Sequence, residues 1–219
     1  YPVAFVRGQG STVWDADGKS YTDFLTGLAV CVLGHCHPRV VEAITRQAQT
    51  LLHVSNFYHT VPQTDVATFL SEHAFGGKVF FCNSGAEANE AALKIARKYS
   101  HDRHGEGRTD IITTTNSFHG RTLGTIAATG QEKVRKGFEP ILPGFIYVPY
   151  GDLGAMEQAM TEHTCAVLVE PIQGEGGIVI PPDGYLEGLR RMCDQRDVVL
   201  MFDEVQTGIG HTGHYFGYQ

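Results

Sequence analysis

The strongest constraint on the fold is an uninterrupted apolar run at residues 198–202, which is followed at once by polar residues. Five consecutive apolar residues without polar alternation predict a strand that is covered on both faces, as in a parallel sheet between two helix layers. Asp203, Glu204 and Gln206 follow where this strand would end, and ligands of open α/β sheets bind at the carboxyl ends of strands. The alternative is a surface loop of solvated acids.

The rest of the chain alternates between strand and helix patterns. Polar and apolar residues alternate around Asp17-Gly18, which predicts a β-hairpin over residues 12–24. Helical spacing predicts helices at 38–52, 62–74, 86–99, 153–162 and 185–196. Short apolar runs predict strands at 79–82, 111–115, 145–148, 166–169 and 198–202. This order predicts an α/β fold of three αβα layers with a mostly parallel sheet, and the change of pattern near residue 60 predicts two domains, 1–60 and 61–219.

Charge and cysteine content narrow the class of protein. The net charge is -7, with 17 Lys and Arg against 24 Asp and Glu, and no basic run, so we expect neither nucleic acid nor anionic membrane as a partner. The five cysteines are scattered and odd in number, which indicates reduced thiols and a cytoplasmic location. No leader and no apolar run long enough to span a bilayer is recognisable.

A segment rich in small residues, Asn83 to Glu87, lies between a predicted strand and a predicted helix. Ser84, Gly85 and Ala86 would leave backbone N–H groups uncovered at the helix N-terminus, which suits a phosphate. The alternative is plain N-capping by Asn83 or Ser84 with an acid in the first turn. The spacing alone does not separate these two interpretations.

Two further segments follow predicted strands at the same edge of the sheet. In the first, Phe118 could stack on a flat ring or lie in the core, His119 could be an acid or base or a structural residue, and Arg121 offers a fork for a carboxylate. In the second, Glu170 and Glu175 flank a turn. They could form an acid/base pair, but we favour a role as partners of arginines such as Arg121.

Other patterns do not predict a site. Residues 208–213 match G-x-G-x-x-G, but a dinucleotide fingerprint must open a helix and reach a further strand and an acidic residue, and six residues remain after Gly213. Residues 34–38 look like metal ligands, but neighbours in one turn cannot all reach one ion without a second cluster, so we predict no metal site. There is no G-x-S-x-G elbow and no Walker-type lysine.

Four segments taken together resemble the class III pyridoxal-phosphate-dependent aminotransferases in order and spacing. They are residues 83–90, 117–121, 170–177 and 203–208. The resemblance covers essentially the whole chain and implies the large-domain fold of the fold-type I pyridoxal-phosphate enzymes, preceded by a small N-terminal segment. Residues 34–38, 53–56 and 163–166 also resemble the branch of the class that acts on N-acetylornithine.

The resemblance implies a site for pyridoxal 5'-phosphate. Its cofactor-binding residues would be Ser84, Gly85, Ala86, Phe118, Asp203, Val205 and Gln206. Phe118 and Val205 would cover the two ring faces, Gln206 would reach the phenolic oxygen, and the catalytic Asp203 would pair with the ring nitrogen, whose proton improves the electron sink. A carboxylate about 4 Å away stabilises that proton by about 4 kcal/mol at an effective dielectric of 20, against about 1 kcal/mol in water. We therefore expect Asp203 to be at least partly buried.

For the substrates, the resemblance implies that Arg121 receives the α-carboxylate with Glu170 as its partner, and that Glu175 lies near the distal end. The implied reaction moves the terminal amino group of N-acetylornithine to 2-oxoglutarate in arginine biosynthesis, in a homodimer. Ornithine, succinylornithine and 4-aminobutyrate are the alternative donors. A catalytically inactive remnant that binds a phosphate-bearing ligand is the alternative from outside the enzymes.

The chain departs from the family in its lysines. The family holds the cofactor as a Schiff base on a lysine about thirty residues beyond the aspartate that corresponds to Asp203. The lysines here all precede Asp203: Lys19, Lys78, Lys94, Lys98, Lys133 and Lys136. His211 also stands where the family has an arginine, and the family's C-terminal domain is not matched. We therefore expect an incomplete cofactor-binding domain that binds the cofactor without a covalent bond and is inactive alone.

Overall fold

A computed structural model describes all 219 residues, which divide into two compact units, Tyr1–Val66 and Ala67–Gln219. The first unit begins with three antiparallel strands in the order β1-β2-β3, which are β1 (Phe5–Gln9), β2 (Thr12–Asp15) and β3 (Ser20–Thr22). The Asp15 carboxylate closes the β2–β3 turn by accepting hydrogen bonds from the backbone N–H groups of Asp17 and Lys19 and from the Tyr21 hydroxyl. The predicted hairpin is confirmed.

A short left-handed turn and two helices follow this sheet along the chain. The turn is α1 (Thr26–Ala29), in which every residue has a positive φ, and the helices are α2 (Pro38–Thr50) and α3 (Val61–His73). Pro38 is in the first turn of α2, where its missing N–H costs nothing. The predicted helices at 38–52 and 62–74 are confirmed within two residues at each end. The division of the chain into a segment of residues 1–60 and a cofactor-binding domain of residues 61–219 stays a prediction.

The second unit alternates helices and strands. In chain order its further elements are α4 (Gly85–His104), β4 (Asp110–Thr114), α5 (Leu123–Ala128), α6 (Glu132–Arg135), β5 (Phe145–Val148), α7 (Leu153–Ala159), β6 (Thr164–Val169), α8 (Tyr185–Arg196) and β7 (Val199–Phe202). The strands form one sheet in the order β5-β4-β6-β7, and every neighbouring pair is parallel. The predicted parallel α/β sheet is confirmed.

Helices pack on both faces of this sheet, because successive strand residues point to opposite sides. On one face, Ile112 and Val167 pack with residues of α7 and α8, such as Met156 and Leu189. On the other face the central strands pack against Leu93 and Ala96 of α4 and Ala128 of α5. The two separate cores make the unit a three-layer αβα structure, and β6, at its centre, is buried along its whole length.

Two strand predictions need correction. Residues 79–82 form no strand, since a strand requires a hydrogen-bonded neighbour and no strand of the sheet pairs with them. Phe80 there is 69% exposed. The run at 198–202 does form β7, and its side chains reach both cores, but all four residues of β7 are half-buried because the strand lies at the edge of the sheet. No helix combines the length and apolar character of a membrane span.

Candidate active site

The chain brings four polar segments together at the carboxyl edge of the sheet. Because β4, β6 and β7 are parallel, the residues after them share one edge: Ser117 to Arg121, Glu170 to Gly177, and Asp203 to Gln206. The first residues of α4 join them. A Cβ placed on Gly85 would lie 2.7 Å from a methyl carbon of Val205, so these two residues already touch.

Asp203 lies at the centre of this arrangement and is 7% exposed. Its Oδ2 accepts hydrogen bonds from Asn89 Nδ2 and His119 Nδ1, both at 2.8 Å, and its Oδ1 accepts one from the Val205 N–H at 3.1 Å. Burial alone would raise the pKa of Asp203, but hydrogen bonding and electrostatic attraction from His119, with the Asn89 and Val205 donors, lower it. The carboxylate is therefore held ionised, and the predicted burial of Asp203 is confirmed.

His119 and Asn89 form the support beneath this carboxylate. His119 is 2% exposed, and its Nδ1 carries the hydrogen because an ionised carboxylate can only accept. The ring Nε2 of His119 lies 3.2 Å from Thr113 Oγ1 in β4. The backbone N–H of His119 donates to Thr129 Oγ1 at 3.0 Å. Asn89 Nδ2 also donates to the His119 carbonyl at 2.9 Å. The structural interpretation of His119 therefore holds, with the addition that it contacts Asp203.

No local sequence pattern predicts these two partners of Asp203. Asn89 precedes the aspartate by 114 residues and His119 precedes it by 84 residues, so no local spacing relates them. Both residues belong to segments singled out for other reasons. A search for buried polar residues within those segments could have raised Asn89, because a polar side chain on the core face of a helix needs a partner.

Glu170 has a different role from the predicted one. It is 4% exposed, and its two oxygens accept hydrogen bonds from the backbone N–H groups of Phe118 (3.1 Å) and Gly174 (3.2 Å). Burial raises the pKa of Glu170, and His119 and the two N–H donors oppose this only in part. The predicted Glu170–Arg121 ion pair is absent, because Glu170 satisfies its oxygens with backbone groups inside the protein. It ties the turn after β6 to the segment after β4.

Arg121 and Glu175 lie on the exposed rim of the site. The Arg121 guanidinium carbon is 5.5 Å from the centre of the Phe118 ring, a cation–π contact, and Arg121 has no ion pair with an acid. Phe118 is half-buried, so one part of its ring is open. Glu175 is exposed and Glu170 is buried, so the alternative in which these two form an acid/base pair gains no support from their surroundings.

The N-terminus of α4 is capped and still has N–H groups without a partner in the chain. Ser84 is the N-cap, and its Oγ accepts a hydrogen bond from the Glu87 N–H at 3.2 Å. The Ala88 N–H donates to the Ser84 carbonyl, which leaves the N–H groups of Gly85 and Ala86 without a partner in the chain. Capping therefore occupies one donor and leaves two others, with the positive end of a 20-residue helix behind them.

The residues after Asp203 complete the edge. Val205 is 56% exposed beside Gly85, and Gln206 packs against the turn after β6, where a Cβ on Gly174 would be 3.2 Å from Gln206 Cγ. Glu204, which had no predicted role, accepts hydrogen bonds from Thr207 Oγ1, the Gly217 N–H and the Tyr218 N–H. It fixes the last residues of the chain against β7.

The two patterns set aside in the sequence have ordinary structural roles. Residues 205–212 form turns and open no helix, so the G-x-G-x-x-G match lacks the context of a dinucleotide site. His35 Nε2 lies 2.7 Å from Asp23 Oδ2, which lowers the pKa of Asp23, chiefly through that hydrogen bond. No group of three or more His, Cys, Asp or Glu residues is arranged to hold a metal ion.

Comparison with known proteins decides the family. The family model described as aminotransferase class-III matches residues 1–219. The chain belongs to the class III aminotransferases. Among curated relatives of this class III chain, the acetylornithine aminotransferase of Caldanaerobacter subterraneus subsp. tengcongensis is 54% identical over 219 residues, which are 100% of this chain and 56% of the relative.

Solved structures agree with this assignment. An ornithine aminotransferase from Toxoplasma gondii, whose structure reveals partial occupancy of PLP at its active site, matches with a TM-score of 0.93 and 37% identity over 99% of this chain and 52% of that one. N-acetylornithine aminotransferase from Stenotrophomonas maltophilia K279a matches with a TM-score of 0.84 and 38% identity over 98% and 54%. The predicted class III family and fold-type I architecture are confirmed. The chain spans about half the length of the relatives it matches.

Proposed function

We propose that the residues around Asp203 bind pyridoxal 5'-phosphate and serve an aminotransferase that moves the terminal amino group of N-acetylornithine to 2-oxoglutarate. The observation that carries this proposal is the buried, ionised Asp203 carboxylate at the same edge as a helix N-terminus with two uncommitted N–H groups. Pyridoxal phosphate, when bound, supplies an electron sink for the carbon that loses the amino group. Two of the three relatives named above are acetylornithine aminotransferases, which favours this donor.

The Asp203 carboxylate has room for a ring nitrogen. A carboxylate offers about four acceptor positions, and Asn89, His119 and Val205 use three. The remaining position is on Oδ1, which accepts one hydrogen bond, whereas Oδ2 accepts two. A protonated pyridine nitrogen donating there would gain about 4 kcal/mol from a charge about 4 Å away at an effective dielectric of 20.

The N-terminus of α4 suits the phosphate. The N–H groups of Gly85 and Ala86, with Ser84 beside them, would donate to its oxygens, and the helix dipole favours the negative charge. The contact between Gly85 and Val205 requires a residue without a Cβ at position 85. Val205 is thus held where it would cover one ring face, with Phe118 on the other and Gln206 near the phenolic oxygen.

The exposed rim suits the substrate. Arg121, which has no ion pair, would receive the α-carboxylate through two parallel hydrogen bonds, and Glu175 would lie near the distal end of the donor. A role in arginine biosynthesis, a cytoplasmic location and a homodimeric assembly complete the proposal. The alternative donors are ornithine, succinylornithine and 4-aminobutyrate.

The test uses the natural protein that contains these residues, because we expect residues 1–219 alone to be inactive. Absorbance titration measures the Kd for pyridoxal phosphate, and steady-state kinetics with 2-oxoglutarate compare the four donors. We expect the highest kcat/KM with N-acetylornithine. Arg121→Ala should raise its KM about 10- to 100-fold, because charge-assisted hydrogen bonds contribute about 1.5–3 kcal/mol, and should leave the cofactor Kd within about twofold.

Arg191→Ala is the matched control, because Arg191 is an exposed arginine of α8 without an ion pair. It should change neither quantity. A wild-type protein that binds no pyridoxal phosphate would refute the cofactor assignment. A higher kcat/KM with one of the other three donors would transfer the proposal to that donor.

A further inference from the structure

The segment that carries Arg121 lies along α4 and touches it at two points four residues apart. A Cβ on Gly120, whose φ is +131°, would lie 2.9 Å from the Cβ of Ala86. A Cβ on Gly124 would lie 2.6 Å from an oxygen of Glu90. Ala86 and Glu90 are one helical turn apart on the same face of α4. The helix therefore contacts the backbone on both sides of Arg121.

The second contact is made by one charged group. Glu90 Oε1 accepts hydrogen bonds from Thr122 Oγ1 at 2.6 Å and from the Gly124 N–H at 3.0 Å. Thr122 is also the N-cap of α5, where it exchanges hydrogen bonds with Thr125. The Glu90 carboxylate thus holds the start of α5 against α4, immediately after Arg121.

We propose that Glu90 is a positioning residue that fixes the backbone of Arg121 against α4 and so sets where Arg121 receives the substrate α-carboxylate. This inference rests on the proposed function. Gly85, Ala86 and Glu90 all belong to α4. One rigid helix would therefore position both the cofactor phosphate and the substrate carboxylate, and the distance between them would be set within that helix.

The side chain at position 90 has narrow requirements. Aspartate is one methylene shorter and would withdraw its carboxylate from Thr122 and Gly124, whereas glutamine keeps an acceptor oxygen at the same reach. Glu90→Ala removes the acceptor and leaves the N–H of the buried residue Gly124 without a partner. Glu90→Gln should therefore retain much of the effect of the native residue, and Glu90→Ala should lose it.

The experiment has a readout that needs no ligand. Amide hydrogen exchange at Gly124 is measured in the wild-type chain and in Glu90→Ala and Glu90→Gln, and calorimetry gives the Kd values for pyridoxal phosphate and N-acetylornithine. For Glu90→Ala we expect exchange at Gly124 at least tenfold faster, N-acetylornithine binding at least tenfold weaker, and the cofactor Kd within twofold. Glu90→Gln should remain within about threefold of wild type in all three quantities.

Lys94→Ala, one turn further along α4 on the exposed surface, is the control and should change none of these values. If Glu90→Ala does not fold, Thr122→Val removes one of the two donors at similar volume and should speed exchange at Gly124 at least twofold. An unchanged amide exchange rate at Gly124 in Glu90→Ala overturns the inference. A faster exchange rate with an unchanged Kd for N-acetylornithine also overturns it. A wild-type chain without any N-acetylornithine binding overturns the proposed function, and exchange at Gly124 still decides whether Glu90 fixes this segment.

Discussion

Asp203 and Arg121 lie at the same edge of the sheet but in opposite surroundings. The Asp203 carboxylate is 7% exposed and accepts three hydrogen bonds, whereas the Arg121 guanidinium is exposed and lies over the Phe118 ring. We call the first region, Asn89, His119 and Asp203, the floor of the site. The second, Arg121 and Glu175, is the rim.

The floor and the rim differ in what fixes them. The floor is complete within the second unit, since helix α4, the loop after β4 and the turn after β7 each supply a partner to Asp203, and its geometry needs no ligand. The rim side chains have few partners of their own. The backbone next to Arg121 is instead fixed by hydrogen bonds from Thr122 and Gly124 to Glu90. Substitutions in the floor should therefore alter stability and chemistry together, whereas those at the rim should alter substrate affinity alone.

The largest expected effect is that of Asp203→Asn. This isosteric change removes the charge that would stabilise a proton on the ring nitrogen, worth about 4 kcal/mol, so turnover should fall about a thousandfold. Steady-state kinetics at saturating cofactor measure the loss. Asp183→Asn, at an exposed aspartate, is the matched control and should leave turnover unchanged. A loss below tenfold for Asp203→Asn would show that the floor contributes little to the chemistry.

His119→Ala should have the next largest effect, on stability. It removes a fully buried partner of a buried carboxylate, so the free energy of unfolding should fall by about 3 kcal/mol in urea titrations. His163→Ala is the control, because the His163 side chain is 61% exposed, and should cost less than about 0.5 kcal/mol. Equal losses in the two variants would contradict the distinction between floor and surface.

The pH dependence of the free energy of unfolding, measured for the wild-type chain and for His119→Ala, gives a second readout for His119. The folded-state pKa of Asp203 is lowered, so its contribution to stability is present above the ordinary carboxyl pKa and is lost as the pH falls through the lowered value. Without His119, burial dominates and the pKa of Asp203 should rise. The acid loss of stability should then begin at a higher pH in His119→Ala than in the wild-type chain.

Ser84→Ala should have the smallest effect and separates capping from cofactor binding. Loss of the hydrogen bond from the Glu87 N–H to Ser84 Oγ should cost about 1 kcal/mol in thermal unfolding. Ser84→Asn, which can still cap, should cost less. If the phosphate is held mainly by the N–H groups of Gly85 and Ala86, the cofactor Kd should stay within about threefold. A much weaker Kd would place the Ser84 hydroxyl among the phosphate donors.

Most of the second unit was predictable from periodicity, because strand and helix patterns depend on burial of nearby residues. The helix at 185–196 and the strand at 145–148 have the predicted bounds. The strand predicted at 79–82 is wrong because an apolar run reports a tendency to be buried, whereas a strand also requires a neighbour that local sequence does not specify. The half-buried state of β7 has the same cause, since edge position depends on strand order.

The site was predictable in its parts and not in its contacts. Asp203 was one of three polar residues at the end of an apolar run, and the resemblance to the class III aminotransferases singled it out. Its burial was expected from the electrostatics of pairing with a ring nitrogen. The contacts of Asp203 with Asn89 and His119 join residues 114 and 84 positions apart, which no spacing rule connects. The Glu170–Arg121 pairing failed for the same reason, because complementary charge does not reveal that backbone N–H groups already satisfy Glu170.

The hydrogen-bonded chain behind Asp203 has a consequence for proton exchange. It runs from Asp203 through His119 to Thr113 and Ser117, and these last three residues are buried, so the chain ends inside the protein. A buried chain that does not reach water cannot carry a proton to it. A proton on a group that faces Asp203 Oδ1 therefore cannot reach bulk water along this chain and has to leave on the Oδ1 side. An isotope label held there would be lost at the rate at which water reaches Oδ1.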